Sequence, residues 1–138
     1  MVYRKSSLIR RIEKLKEYNN DLYSFDGLDY AGYLQNKNNK YAIERILFLV
    51  SENILDFLDH ILSAKFHVIS DSYEEILENA FKRAVIDEKA YDELRGLGGF
   101  RNVLAHEYLG IDDHAVFEHF CKIKRILPGI IGYFEELL

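Results

Sequence analysis

The chain has 138 residues, of which 49% are hydrophobic and 30% charged, and its formal net charge is -5. That size and balance describe one folded domain, residues 1–138, able to bury enough apolar surface to need no disulfide or metal for stability. An acidic protein is a poor candidate for a broad nucleic-acid surface, though a small basic cleft can persist because charges beyond a Debye length of roughly 10 Å are screened.

The opening MVYRKSSLIRRIEKL is too charged for a signal peptide. No stretch approaches about 18 uninterrupted apolar residues, so no membrane span is expected. The single cysteine, Cys121, cannot form an internal disulfide, which fits a reducing, cytoplasmic setting.

Helical periodicity runs nearly throughout. Leu8, Ile12, Leu15, Tyr18 and Leu22 follow spacings of four and three, on a segment crowded with Arg4, Lys5, Arg10, Arg11, Lys14 and Lys16. YSFDGLDYAGYLQNKNN then reads as a connection, rich in glycine, aspartate and asparagine. The next segment carries one apolar stripe of Ile43, Leu47, Val50, Ile54, Phe57 and Ile61 and a second of Phe48, Leu55, Leu58 and Leu62. A helix apolar over so much of its circumference is buried on more than one side, and in a domain this small the second side is expected to face another subunit.

Ser70, Asp71 or Ser72 can cap a third helix, whose inner face reads as Tyr73, Leu77, Ala80, Phe81 and Ala84. A fourth helix starts near Asp87 and continues through VIDEKAYDELRGLGGFRNVLAH. The last is capped by Asp112 or Asp113 and carries Val116, Phe120, Ile123, Leu127, Ile130, Phe134 and Leu137. Pro128 should kink or split it. The pattern predicts an all-α, up-and-down antiparallel bundle of about five helices.

Several chemistries find no support. His106-Glu107 lacks a second histidine at a zinc-binding offset, and His114, His119 and Cys121 do not fall at a ligand spacing; surface histidines and a packed cysteine are the expectation. RGLGGF has neither the Lys-Ser/Thr nor the preceding strand of a phosphate loop. Three helical glycines cost about 1 kcal/mol each relative to alanine, so Gly96, Gly98 and Gly99 should serve close packing or a substrate. No cofactor motif and no Ser-His-Asp arrangement occurs.

RNVLAHEY, residues 101–108, combines groups suited to RNA cleavage. Arginine can hold a phosphate and offset charge on its oxygens. Histidine can take or give a proton near neutral pH. RNA supplies its own nucleophile in the 2′-hydroxyl, so no metal is strictly required. On an ideal helix Asn102 and His106 share a face, whereas Arg101 and His106 stand about 140° apart. They converge on one substrate only if the helix ends or bends between them, or if two copies of the segment face each other. Taken alone the spacing is weak, since shuffling the chain would give roughly one such pair by chance.

The longer string GFRNVLAHEYLGID resembles the signature of the HEPN superfamily, specifically its HepT-like branch, which carries R-x4-H-x-Y with asparagine commonly after the arginine. The matching residues are Arg101, Asn102, His106 and Tyr108. YAIERILFLVSENILDFLDHIL, with its Glu44-Arg45 pair, is similar to that branch's long second helix and SYEEILENAFKRAVIDEKAYDEL to its third and fourth, so the resemblance runs from about Tyr41 to the C-terminus, with the first helix weaker but compatible. It implies a helical homodimer acting as a metal-independent endoribonuclease toxin, with two motifs lining a cleft at the interface. It implies an MntA-type minimal nucleotidyltransferase antitoxin that transfers AMP to the motif tyrosine, Tyr108. Under it Arg101 binds the scissile phosphate, His106 is the general acid or base, and Asn102 positions substrate or holds His106. Two other readings compete: a non-catalytic nucleotide- or substrate-binding partner of a minimal nucleotidyltransferase, and a purely structural helical dimer.

Overall fold

The computed structural model describes residues 2–106 and 110–138. The described residues form seven helices and no strand: α1 (Lys5–Tyr23), α2 (Tyr30–Gln35), α3 (Lys37–Phe66), α4 (Tyr73–Lys82), α5 (Glu88–Leu94), α6 (Leu97–His106) and α7 (Asp113–Glu136). The expected bundle is present. The larger number of helices has two local causes. Asp29 caps the six-residue α2 by accepting from the Gly32 amide at 2.8 Å, and Tyr33 is fully buried. The fourth predicted helix divides into α5 and α6 at Gly96, whose φ of +84° breaks the helix.

The 30-residue α3 is the centre of the bundle, with α1 and α7 packed on one part of it and α4 and α6 on another. Its first stripe, Ile43 to Ile61, is buried as expected. In the second stripe Leu55, Leu58 and Leu62 are fully buried within this single chain. They do not need another subunit: the short helices α4 and α6 fold back over α3 and supply the cover. Phe57 and Phe134 stack at 4.0 Å, nearly parallel, and join α3 to α7. Buried Asn53 donates to the Arg11 carbonyl at 3.1 Å, tying α1 to α3.

Side-chain caps mark the helix starts. Ser72 accepts from the Glu75 amide, Asp87 from the Ala90 amide, and Asp112 from the amides of His114 and Ala115. The inner face of α4 differs from the expected one. Ile76, Leu77 and Ala80 are buried, whereas Phe81 is 40% exposed and stacks on Tyr91. The helix ends at Lys82, and Ala84, at φ +57°, turns the chain so that Val85 and Ile86 enter the core instead.

Helix α7 is not split at Pro128. The proline lies on the exposed side, where water can satisfy the carbonyl its missing N–H leaves free, while Leu127, Ile130 and Phe134 hold the helix to the core. Among the described residues no helix is long and apolar enough to cross a membrane.

Candidate active site

The site is built where α6 lies against α3 and the start of α4. Gly98 makes that approach possible. A Cβ there would stand 2.3 Å from the Tyr73 Cβ, far inside van der Waals contact. Each glycine of the triplet thus has its own status: Gly96 supplies a left-handed turn, Gly98 a close approach, and Gly99 faces open space.

One turn further along α6, the Arg101 guanidinium is sandwiched between two rings. Its carbon lies 5.0 Å from the Phe48 centroid on α3 and 5.1 Å from the Tyr73 centroid at the start of α4. Planar, weakly hydrated guanidinium suits such a slot better than an ammonium would. Nη2 donates to both carboxylate oxygens of Glu52, at 3.1 and 3.3 Å, and Nη1 donates to Asn102 Oδ1 at 3.2 Å. The Arg101 side chain is 15% exposed, and its buried Nε has no hydrogen-bond partner among the described residues. A guanidinium offers five N–H donors, and with two bonds from Nη2 and one from Nη1 a second Nη1 hydrogen stays available to an incoming anion.

Asn102 is exposed and lines a cleft with Gly98, Gly99, Tyr73 and Asp59. Its partner in the structure is Arg101. His106 is the exposed last residue of α6. Because α6 carries Arg101 and His106 without interruption, no helix end between them brings the two side chains together. Tyr108 lies outside the described residues.

Glu52, Phe48 and Tyr73 are the neighbours that reading the motif alone missed. The available signal was an acidic residue in the middle of α3 on the same face as Phe48, one turn away. Burial pushes the carboxyls of Asp56 and Asp59, further along α3, above the usual range, with Arg11 pulling Asp56 partly back. Arg11 pairs with Asp56 at 3.5 Å, Lys14 with Glu17 and Lys16 with Glu135, so much of the basic charge of α1 is locally matched.

The other histidines go elsewhere. His114 faces Glu118 at 3.4 Å, and His119 stacks on Phe100 at 3.8 Å, where burial lowers its pKa. Cys121 is exposed rather than packed, because the buried face of α7 passes through Phe120 and Ile123 on either side of it.

The described residues thus place Arg101 between two rings, about one and a half turns before the exposed His106 at the end of α6. The family model described as Ribonuclease HepT-like matches residues 8–133, and the chain belongs to that family. It is 30% identical over 108 residues to the tRNA nuclease HepT of Aphanizomenon flos-aquae, covering 78% of this chain and 73% of that protein. Its fold is similar to that of YutE, a cytosolic protein of unknown function from Bacillus subtilis, at 25% identity and a TM-score of 0.76 over 99% of this chain and 92% of the other. It is also similar to the tri-AMPylated HEPN toxin of Shewanella oneidensis in complex with MNT antitoxin, at 18% identity and a TM-score of 0.72, covering 94% of this chain and 92% of that one.

Proposed function

We propose that this protein is an endoribonuclease toxin that cleaves RNA without a metal and is silenced by a nucleotidyltransferase antitoxin. The observation that carries the reading is the lodging of Arg101: two rings and Glu52 hold the partly exposed guanidinium with an Nη1 hydrogen still available. Arg101 binds the scissile phosphate and offsets the charge that develops on its oxygens. The substrate's 2′-hydroxyl attacks phosphorus, and the 5′-oxygen of the next nucleotide leaves. His106 serves as the base for the first oxygen or the acid for the second. Asn102 keeps Arg101 oriented. Family membership and the relative named as a tRNA nuclease support this chemistry.

The cleft is completed by a second copy of the chain, which meets the requirement left by an unbroken α6. Each protomer then contributes Arg101 to one side and His106 to the other. Tyr108 accepts AMP from an MntA-type partner, and the added negative charge opposes RNA binding. The Shewanella toxin, tri-AMPylated and bound to MNT antitoxin, supports this regulation by analogy.

The test is expression with and without a cognate nucleotidyltransferase. Wild type alone should arrest growth and cut RNA, and Arg101→Ala or His106→Ala should abolish both effects. Unchanged cleavage by His106→Ala would overturn the catalytic assignment. Mass spectrometry after incubation with the partner and ATP should find AMP on Tyr108, and light scattering should find a dimer. A non-catalytic nucleotide-binding partner is the second reading, favoured by the ion pair that occupies part of Arg101. ATP-dependent thermal stabilisation with no RNA cleavage would select it.

A further inference from the structure

On α3, Tyr41, Arg45, Phe48 and Glu52 recur at intervals of four, three and four and so share one helix face. The Arg45 guanidinium carbon lies 5.4 Å from the Phe48 centroid, and that of Arg101 lies 5.0 Å from the same ring. Two cations therefore address a single aromatic ring. Beside them is a cleft of about 310 Å³, lined by Tyr41, Glu44, Arg45 and Phe48 from α3 and by Leu104 and Ala105 from α6. Tyr41 is 59% exposed and Arg45 is also exposed. Ala105 immediately precedes His106, so the cleft adjoins the stretch of α6 between the two residues of the proposed chemistry.

The cleft on the other side of Arg101 has the opposite character. It is lined by Asp59, Asp71 and Glu74 together with Asn102, and presents no cation to a phosphate. A polyanion that places one phosphate on Arg101 thus meets Arg45 and aromatic rings, with Glu44 beside them, in one direction and carboxylates with no cation in the other.

We propose that the Tyr41–Arg45–Phe48 cleft is a nucleotide subsite for single-stranded RNA, next to the scissile phosphate. This rests on the nuclease reading above. Arg45 holds the neighbouring backbone phosphate, and the exposed Tyr41 ring stacks on its base. Phe48 fixes the spacing of the two guanidinium groups by packing against both. A cation paired with a stacking ring binds single strands with little base preference, because every base has a π-face. A duplex, whose bases are already stacked, gains nothing from Tyr41. Glu44, whose carboxyl burial pushes up while Lys40 opposes the shift, lines the same cleft next to Arg45.

The experiment compares wild type, Tyr41→Ala, Arg45→Ala and Arg45→Lys on one single-stranded RNA oligonucleotide. Cleavage kinetics are paired with fluorescence anisotropy of the same oligonucleotide on each variant made in a His106→Ala background. Tyr41→Ala and Arg45→Ala should each raise KM and Kd about tenfold and leave kcat within about twofold. Arg45→Ala should also reduce the salt slope of binding by about one, and Arg45→Lys should restore that slope. If wild type cuts and KM and Kd are unchanged in both alanine variants, the subsite is wrong and the nuclease reading stands. If wild type does not cut, the nuclease reading fails, and unchanged anisotropy overturns the subsite as well, whereas tenfold weaker binding upholds it. Variants that lose cleavage together with their oligomeric state in light scattering would assign this face to an interface between copies and overturn the subsite.

Discussion

Arg101 on α6 and Glu52 on α3 form an ion pair in which one terminal nitrogen reaches both carboxylate oxygens, at 3.1 and 3.3 Å. The pair orients the guanidinium and also neutralises part of the charge that would attract RNA. These effects separate on substitution. Glu52→Gln keeps the shape and removes the charge, which at this range is worth about 1 kcal/mol in a water-like dielectric. RNA affinity should therefore rise several-fold, measured as a lower KM at low salt. Glu52→Ala also removes the orienting acceptor, and kcat should fall. A KM raised by Glu52→Gln would show that the carboxylate does not compete with substrate.

The two neighbouring glycines of α6 should respond oppositely to alanine. Gly98→Ala drives a methyl into Tyr73 and should destabilise by about 1–3 kcal/mol, with RNA cleavage lost beyond that expected from unfolding because Tyr73 also flanks Arg101. Gly99→Ala meets nothing within 4 Å and should stabilise by up to about 1 kcal/mol through helix propensity. Urea denaturation of the two variants side by side is the measurement, and equal behaviour would refute the close approach.

Stability should fall on the acid side of neutrality, in part through His119. Burial against Phe100 lowers its folded-state pKa below the unfolded value of about 6.5. As pH falls through about 6.5, the unfolded chain binds the proton first, so stability declines until the folded pKa is passed and is flat below it. His60, lowered chiefly by burial and then by Arg11 and Arg4, acts in the same direction. His119→Phe keeps a ring to stack and cannot titrate, so the fall in Tm between pH 7.5 and 5.5 should shrink. A fall as large as in wild type would remove His119 from the account.

Ser72 caps α4 through the Glu75 amide at 3.1 Å. Ser72→Ala should cost about 1 kcal/mol of stability, read as a lower urea midpoint, and Ser72→Asp, which still offers an acceptor to the Glu75 amide, should keep most of the wild-type stability.

Much of the fold is legible in the sequence where apolar spacing is long and regular. Leu8 to Leu22, Ile43 to Ile61 and Val116 to Phe134 predict α1, α3 and α7 with their buried faces. Tyr30–Gln35 is too short to show a period, and it is helical because Asp29 caps it and Tyr33 is buried. The division at Gly96 depends on one positive φ, which composition permits but does not require. Phe81 has the right spacing for a core position and lies outside it, because α4 ends one residue later.

At the site, the family motif singles out Arg101, Asn102 and His106. Glu52, Phe48 and Tyr73 reach Arg101 only through tertiary packing, so nothing local to residues 101–108 names them. The second stripe of α3 shows a related limit. Periodicity reveals that Leu55, Leu58 and Leu62 must be covered, while only the folded chain shows that α4 and α6 cover them.

The contact between Gly98 and Tyr73 makes the α4 and α6 backbones a mechanical unit. With only the base of the Tyr73 side chain between them to absorb a displacement, a shift of the first turn of α4 moves the segment that bears Arg101. A ligand or partner protein gripping the loop before Tyr73 would then hold a lever on the guanidinium without touching it.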